Sequence, residues 1–292
     1  LFRSRPLLKK MGEAVKKTFD GTENPLLLKL VISSNLVIAN YPTLHNFGLA
    51  KNTIAGFEQK VGKDFASHEV LFLLRGIFSI LHKIAELQSD EIKIGVYREQ
   101  LDKIGKELKK EQRKETGVAV MDAYQPYLPE GFFSTAEVQL AKTIQLISTM
   151  IGLEPDNEHD VALLIQPLVY GNYDKDSFSG RFFSRNIVTG EKKLQGMFFQ
   201  EKFDEVDAVG KDINAIKPAY LEQLEAIAWR LEDHSKDVRE IRFTIEAGKL
   251  WLIEQKSVEA KSTIALVHFL LDLYNRKIID AEYVVKNVKP GQ

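Results

Sequence analysis

The feature that most constrains this chain is a change of hydrophobic period near Glu154-Pro155-Asp156-Asn157, a turn-rich tetrapeptide. On its N-terminal side the apolar residues recur at helical spacing. Phe57, Val61 and Phe65 stand at i, i+4 and i+8 within a predominantly helical stretch over 53–116, and Ser134–Met150 predicts a further helix. Residues 5–19 also read as a helix, and the apolar, β-branched run Leu26–Ala39 predicts one or two buried strands. Glu99–Lys114 is mostly charged, with Leu101, Ile104 and Leu108 on one side, as in a surface helix with a solvated face.

Beyond the turn the pattern shortens to strands. Val161–Val169 is an apolar run holding one polar residue, Gln166, and Phe182–Ser184, Met197–Gln200, Ile241–Ile245 and Leu250–Gln255 follow between Gly or Asx turns. The helix Ala219–His234 interrupts them. Helices return at Thr263–Asn275 and Ala281–Val288, the second with Asp280 as its N-cap and Pro290 as its stop. The expected fold class is α+β: a helix-rich lobe over 1–160, a strand-rich lobe over 161–260, and C-terminal helices over 261–292 that belong to the same unit.

Charge and composition narrow the function. The 292 residues carry 40 Lys and Arg against 41 Asp and Glu, a net charge of −1 that offers no global field for a phosphate backbone. No nucleic-acid partner is expected. The absence of Cys removes thiolate metal sites, iron–sulfur clusters and Cys nucleophiles. Both long apolar stretches, Leu26–Tyr41 and Val70–Leu81, are interrupted by polar or charged residues, so no membrane partner is expected either. The six His show no ligand spacing, and neither a nucleophile elbow nor a Walker lysine motif occurs. The basic N-terminal stretch from Arg3 to Lys17 reads as an amphipathic helix. A cytoplasmic location is expected, with an organellar one if that stretch is the remnant of a transit peptide.

Several stretches resemble one family. They are Ile165-Gln166-Pro167-Leu168-Val169-Tyr170-Gly171-Asn172, Asp176-Ser177-Phe178-Ser179-Gly180, Phe183-Ser184-Arg185-Asn186 with Thr189-Gly190-Glu191-Lys192, and Phe243-Thr244-Ile245-Glu246-Ala247-Gly248-Lys249-Leu250-Trp251. Asn24-Pro25-Leu26-Leu27-Leu28 and the Thr43 to Leu49 region match more weakly. In this order the chain resembles the nucleotide-binding, ATP-grasp region of pyruvate phosphate dikinase and phosphoenolpyruvate synthase, over roughly residues 20 to 290. The resemblance implies a two-lobed ATP-grasp-like domain with ATP and Mg²⁺ as ligands. It implies that Gln166, Leu168 and Val169 line the adenine slot, that Asp176–Gly180, with Ser179 and Gly180, covers the phosphates, and that Glu205 is the acid near the nucleotide. It also implies partners: a phosphohistidine domain and a phosphoenolpyruvate-binding domain, supplied by a larger chain or another protein.

The hairpin over 239–256 departs from the family. Alternation puts Ile241, Phe243 and Ile245 on one face and Glu240, Arg242 and Thr244 on the other. A three-residue loop Glu246-Ala247-Gly248 would set Thr244 against Leu250, Arg242 against Leu252 and Glu240 against Glu254, with Lys256 one step beyond. The family has Asp and Glu, then Gln and Arg, where this chain has Glu240 and Arg242, then Glu254 and Lys256. A guanidinium stands where a carboxylate should face Mg²⁺. The four residues are expected to form a self-neutralising ion network, the alternative being a rearranged metal site on Glu240 and Glu254. Val31 replaces the family's phosphate-binding Arg, and Phe178 replaces a Gly in the phosphate turn. These substitutions argue against both ATP and Mg²⁺ and favour a pseudoenzyme: an ATP-grasp domain with lost or weakened catalysis, acting as a scaffold or interaction module. The alternatives are an active ATP-binding half of a dikinase-like phosphotransferase and a metal-independent nucleotide sensor.

Overall fold

The computed structural model describes residues 5–34, 42–154, 161–201 and 209–288. The fold is α+β, and the chain divides into two compact units, Leu1–Leu168 and Val169–Gln292.

In the first unit, α1 (Arg5–Val15) precedes β1 (Leu28–Ser34) and β2 (Leu44–Phe47). Then come α2 (Ile54–Val61), α3 (Lys63–Leu87), α4 (Glu91–Leu108), α5 (Gly117–Tyr124), α6 (Ala136–Leu153) and β3 (Val161–Pro167). The strands form an antiparallel sheet in the order β2-β1-β3. Strand 161–167, which the sequence places at the head of the second lobe, pairs along its length with β1, so the break between units falls at 168/169 and not at 160/161.

Leu28, Leu30 and Ile32 bury one face of this sheet, and α3 supplies the centre of the core with Val70, Leu73, Leu74, Ile77, Phe78 and Ile80. Residues buried nearly all round explain why α3 lacks the narrow apolar stripe of a surface helix. The helix starts are fixed chemically. Asp90, Thr116 and Thr135 each accept a backbone N–H from three residues on, satisfying donors that have no partner inside the helix.

In the second unit, β4 (Phe178–Phe183), β5 (Gln195–Gln200) and β6 (Lys211–Asp212) precede α7 (Pro218–Ser235). The hairpin β7 (Arg239–Glu246) and β8 (Lys249–Ser257) follows, then α8 (Thr263–Asn275) and α9 (Ala281–Asn287). The sheet is antiparallel throughout, in the order β6-β5-β4-β7-β8. Asp280 caps α9 by accepting Tyr283 N–H at 2.8 Å, as the sequence predicts.

One face of this sheet is core. Phe178, Phe182, Phe198, Ile241, Phe243 and Ile245 pack with Leu224 and Ala228 of α7. Complete burial of side chains of this size is worth about 1.5–3 kcal/mol each. Gly180 lies in the middle of that face because the Phe243 ring occupies the space where a side chain would stand: a Cβ there would sit 2.5 Å from Phe243 Cε1 and 2.8 Å from Met197 O. Behind the sheet, Arg185 (1% exposed) donates to Glu232 (0% exposed) through Nε at 2.8 Å and Nη2 at 2.6 Å, and to Asp272 at 3.1 Å, joining the end of β4 to α7 and α8. Among the described residues no helix is long and apolar enough to cross a membrane.

Two expectations follow. Gly180→Ala should cost about 1–3 kcal/mol, read as a lower urea midpoint of the full chain, because Phe243 must move from its packed position. The second concerns His45 on β2, whose ring is tilted against Phe72 with centroids 5.1 Å apart, Phe72 itself being covered by the Arg75 guanidinium at 4.4 Å. Burial first, then the charges of Lys29 and Arg75, push its pKa down from 6.5 to about 4. A depressed pKa means that the fold favours the neutral ring. The resulting stability is present above pH 6.5 and is lost as pH falls towards 4. His45→Leu should therefore flatten the decline of the urea midpoint across that window relative to the unsubstituted chain.

Candidate functional site: the charged face of the second sheet

The face of the second sheet opposite its core collects the side chains whose chemistry could serve a ligand. On β7 strict alternation puts Glu240, Arg242, Thr244 and Glu246 there. At one end of the face Thr244 and Glu246 are buried, and Glu246 accepts Tyr170 N–H at 2.8 Å. The other end is open and charged.

The hairpin register differs from the expected one. Its turn has two residues, Ala247 (φ 47°) and Gly248 (φ 79°), both left-handed as a tight hairpin turn of this hand requires, so Glu246 pairs with Lys249 and Thr244 with Trp251. Between Phe243↔Leu252 and Arg242↔Glu254 the second strand carries one extra residue, Ile253, a β-bulge. Beyond it Arg242 lies opposite Glu254, and Glu240 lies opposite Lys256. The like-charged pair Glu240 and Glu254 expected from the sequence is replaced by two pairs of opposite charge.

The contacts match this pairing. Lys256 Nζ lies 3.5 Å from Glu240 Oε2, and Arg242 Nη1 lies 4.0 Å from Glu254 Oε2. A fifth residue, not singled out from the sequence, joins them: Arg181 of β4, whose Nη1 is 3.6 Å from Glu240 Oε1. Arg181 is the register partner of Arg242 across β4 and β7. Arg181 and Lys256 thus share the Glu240 carboxylate, while Arg242 faces Glu254. The signal in the sequence is a single Arg at an alternating position of Phe178–Phe183, legible only once β4 is known to neighbour β7.

The Glu240 carboxylate is flanked by two positive groups, and Glu254 faces a third. Among the described residues no group of three or more His, Asp or Glu side chains could hold a metal ion.

The other expected site residues fall in different places. Gln166 is exposed on β3 opposite Lys29 of β1, and Leu164 and Val31 form the next pair along the same sheet. The backbone of Leu168 is already engaged: its N–H donates to Leu27 O at 2.8 Å and its carbonyl accepts Lys17 Nζ at 3.1 Å. Val169 is half-buried at the start of the second unit.

The stretch 176–180 is only partly a turn. Asp174 Oδ1 accepts Ser177 Oγ–H at 2.7 Å and Asp176 N–H at 2.9 Å, while Phe178, Ser179 and Gly180 already belong to β4. Ser179 is buried on that strand. Phe178 does not obstruct the charged face, because its ring is turned into the core against Phe198 at 5.8 Å and Tyr220 at 6.1 Å. Gly180 is explained by its contact with Phe243. Glu205 lies outside the described residues.

No protein-family model matches the chain. Curated relatives do. A pyruvate, phosphate dikinase of Treponema pallidum (strain Nichols) is 57% identical over 287 residues, which is 98% of this chain and 32% of the relative. The Rickettsia conorii pyruvate, phosphate dikinase is 26% identical over 306 residues, covering 94% of this chain and 34% of the relative. The chloroplastic pyruvate, phosphate dikinase 1 of Zea mays is 25% identical over 311 residues, covering 96% and 31%. The chain thus spans about a third of the length of the relatives it matches. Over nearly all of its own length, this chain is homologous to the pyruvate, phosphate dikinases.

Proposed function

We propose that this chain is an ATP-grasp-type, nucleotide-binding region related to pyruvate, phosphate dikinase in which Mg²⁺-dependent phosphoryl transfer is lost or weakened, and that it acts as a scaffold or interaction module. The observation that carries this reading is Arg242. Phosphoryl transfer is catalysed almost wholly by positioned charge, with a metal bridging phosphate oxygens. A carboxylate pair on the hairpin could hold such a metal. Arg242 faces Glu254 instead, and Glu240 is shared by Arg181 and Lys256. The core beneath remains closely packed, so the departure from an enzyme's requirements is concentrated in charge.

A second reading is supported by the 57% identity to the Treponema relative across almost the whole chain. In it, the chain is the ATP-binding portion of a working dikinase-like phosphotransferase whose other domains lie elsewhere in a longer protein or on a partner. It requires that metal and phosphate be held by residues other than the hairpin pairs.

Calorimetric titration with ATP, with and without Mg²⁺, separates the two. The first reading expects no binding that strictly requires Mg²⁺; micromolar binding that does require it would overturn that reading. The double substitution Arg242→Glu with Lys256→Arg places two carboxylates opposite each other across β7 and β8. It should introduce Mg²⁺-dependent ATP affinity absent from the unsubstituted chain.

A further inference from the structure

We infer that the outer side of α8 is a docking seam for an amphipathic helix of a partner protein, one that carries acidic residues in its first turn. The inference involves none of the ion pairs of β7 and β8 and holds whether or not the chain binds nucleotide.

α8 is apolar on two sides. Ala265, Phe269, Leu270 and Leu273 are buried and form its inner side. Ile264, Val267, Leu271 and Tyr274 recur at steps of three, four and three residues on the opposite side, the a and d spacing of a coiled-coil seam. Ile264 is 62% exposed, Leu271 44% and Tyr274 45%, and Val267 is half-buried. A single exposed leucine is ordinary on a protein surface, but a row at heptad spacing is what a second helix packs against. Helical partners are recognised through anchors at such spacings.

The end of the seam sets the charge of the occupant. Tyr274 also borders a depression of about 750 Å³ lined by Lys236, Lys277, Tyr283 and Lys286. Lys236 caps the C-terminus of α7 and Lys277 lies just beyond α8, places where the helix dipole favours a cation. None of the three ammonium groups has a carboxylate partner among the described residues, and Lys236 lies over the Tyr283 ring at 5.3 Å. Of the two acids on the border, Asp280 is committed to the N-cap of α9, accepting Tyr283 N–H at 2.8 Å, which leaves Glu282.

These facts select the partner and its direction. Acidic residues are favoured in the first turn of a helix, where the macrodipole is positive. A helix laid antiparallel along α8 brings that turn to the three lysines and sets its own dipole against that of α8. A second copy of this chain fits less well. Its α8 has no acidic residue in the first turn, and Glu259 is the only acid among the six residues before it. A membrane surface also fits less well, because a strict a and d row is narrower than the apolar face that a helix inserts into a bilayer.

The test is fluorescence anisotropy of the full chain with a labelled helical peptide about three heptads long, with Leu at a and d and Glu in its first turn, against a second peptide with Lys in that turn. The acidic peptide should bind, and the basic one at least about fivefold more weakly, the difference made by several exposed ion pairs. Leu271→Ser should weaken the acidic peptide about tenfold or more. Lys277→Glu with Lys286→Glu should reverse the preference, so that the basic peptide binds more tightly. The comparison of the two peptides on the unsubstituted chain decides the matter even where a substitution lowers the urea midpoint.

No binding of the acidic peptide up to about 1 mM, or equal binding of both peptides to the unsubstituted chain, would overturn the inference. So would a dimer of the chain alone in sedimentation equilibrium that Leu271→Ser dissociates, since the seam would then belong to a second copy. Binding to vesicles of equal parts phosphatidylserine and phosphatidylcholine that the same substitution abolishes would overturn it in favour of a membrane. Mg²⁺-dependent ATP binding bears on the proposed function and leaves this inference standing.

Discussion

The chemistry of the second unit depends on one backbone constraint, the register between β7 and β8. The period of a strand is two residues, so a slip of one residue changes which side chains share a face. The bulge at Ile253 is such a displacement, confined to one strand. Without the extra residue, the pairing that begins at Glu246↔Lys249 would carry Arg242 onto Ile253 and Glu240 onto Gln255. With it, Glu254 and Lys256 arrive opposite Arg242 and Glu240. The ion pairs of the face follow from the bulge, and Arg181 joins them at Glu240 because it lies in the same row on β4.

Much of the fold was legible in the amino-acid pattern, for identifiable reasons. Helices with a capping residue and regular apolar spacing, such as Thr263–Asn275 and the helix capped by Asp280, were read closely because both signals are local. The strand Val161–Val169 was recognised as a strand, but its partner was not. Its pairing with β1 joins residues far apart in the chain, and periodicity carries no information about that. The hairpin was found and its loop misjudged. The rule that a glycine takes the left-handed position accounts for Gly248, but the second left-handed residue is Ala247, which no propensity announces.

The site was less legible than the fold because it is a matter of faces. Phe178 and Gly180 occur in a stretch that resembles a phosphate-covering turn, yet strand geometry begins at Phe178 and points both positions towards the core. Leu168 was expected to line the adenine slot; its backbone N–H and carbonyl are bonded to Leu27 and Lys17, contacts with residues far away in the chain that no local pattern announces. Arg181 went unremarked because its importance is relational: it matters only beside Arg242 and Glu240.

The packing of Gly180 beneath Phe243 has a consequence for how such a chain changes over generations. The sheet's cohesion is vested in its inner side, where Phe182, Phe243 and Ile241 meet α7 with no share in the ionic cluster. Exposed charges on the outer side can then reverse sign without opening a cavity or stranding a buried group. Selection acting on folding alone would be almost blind to those exchanges. A lineage could thus exchange the chemistry of its outer face while its skeleton stayed the same.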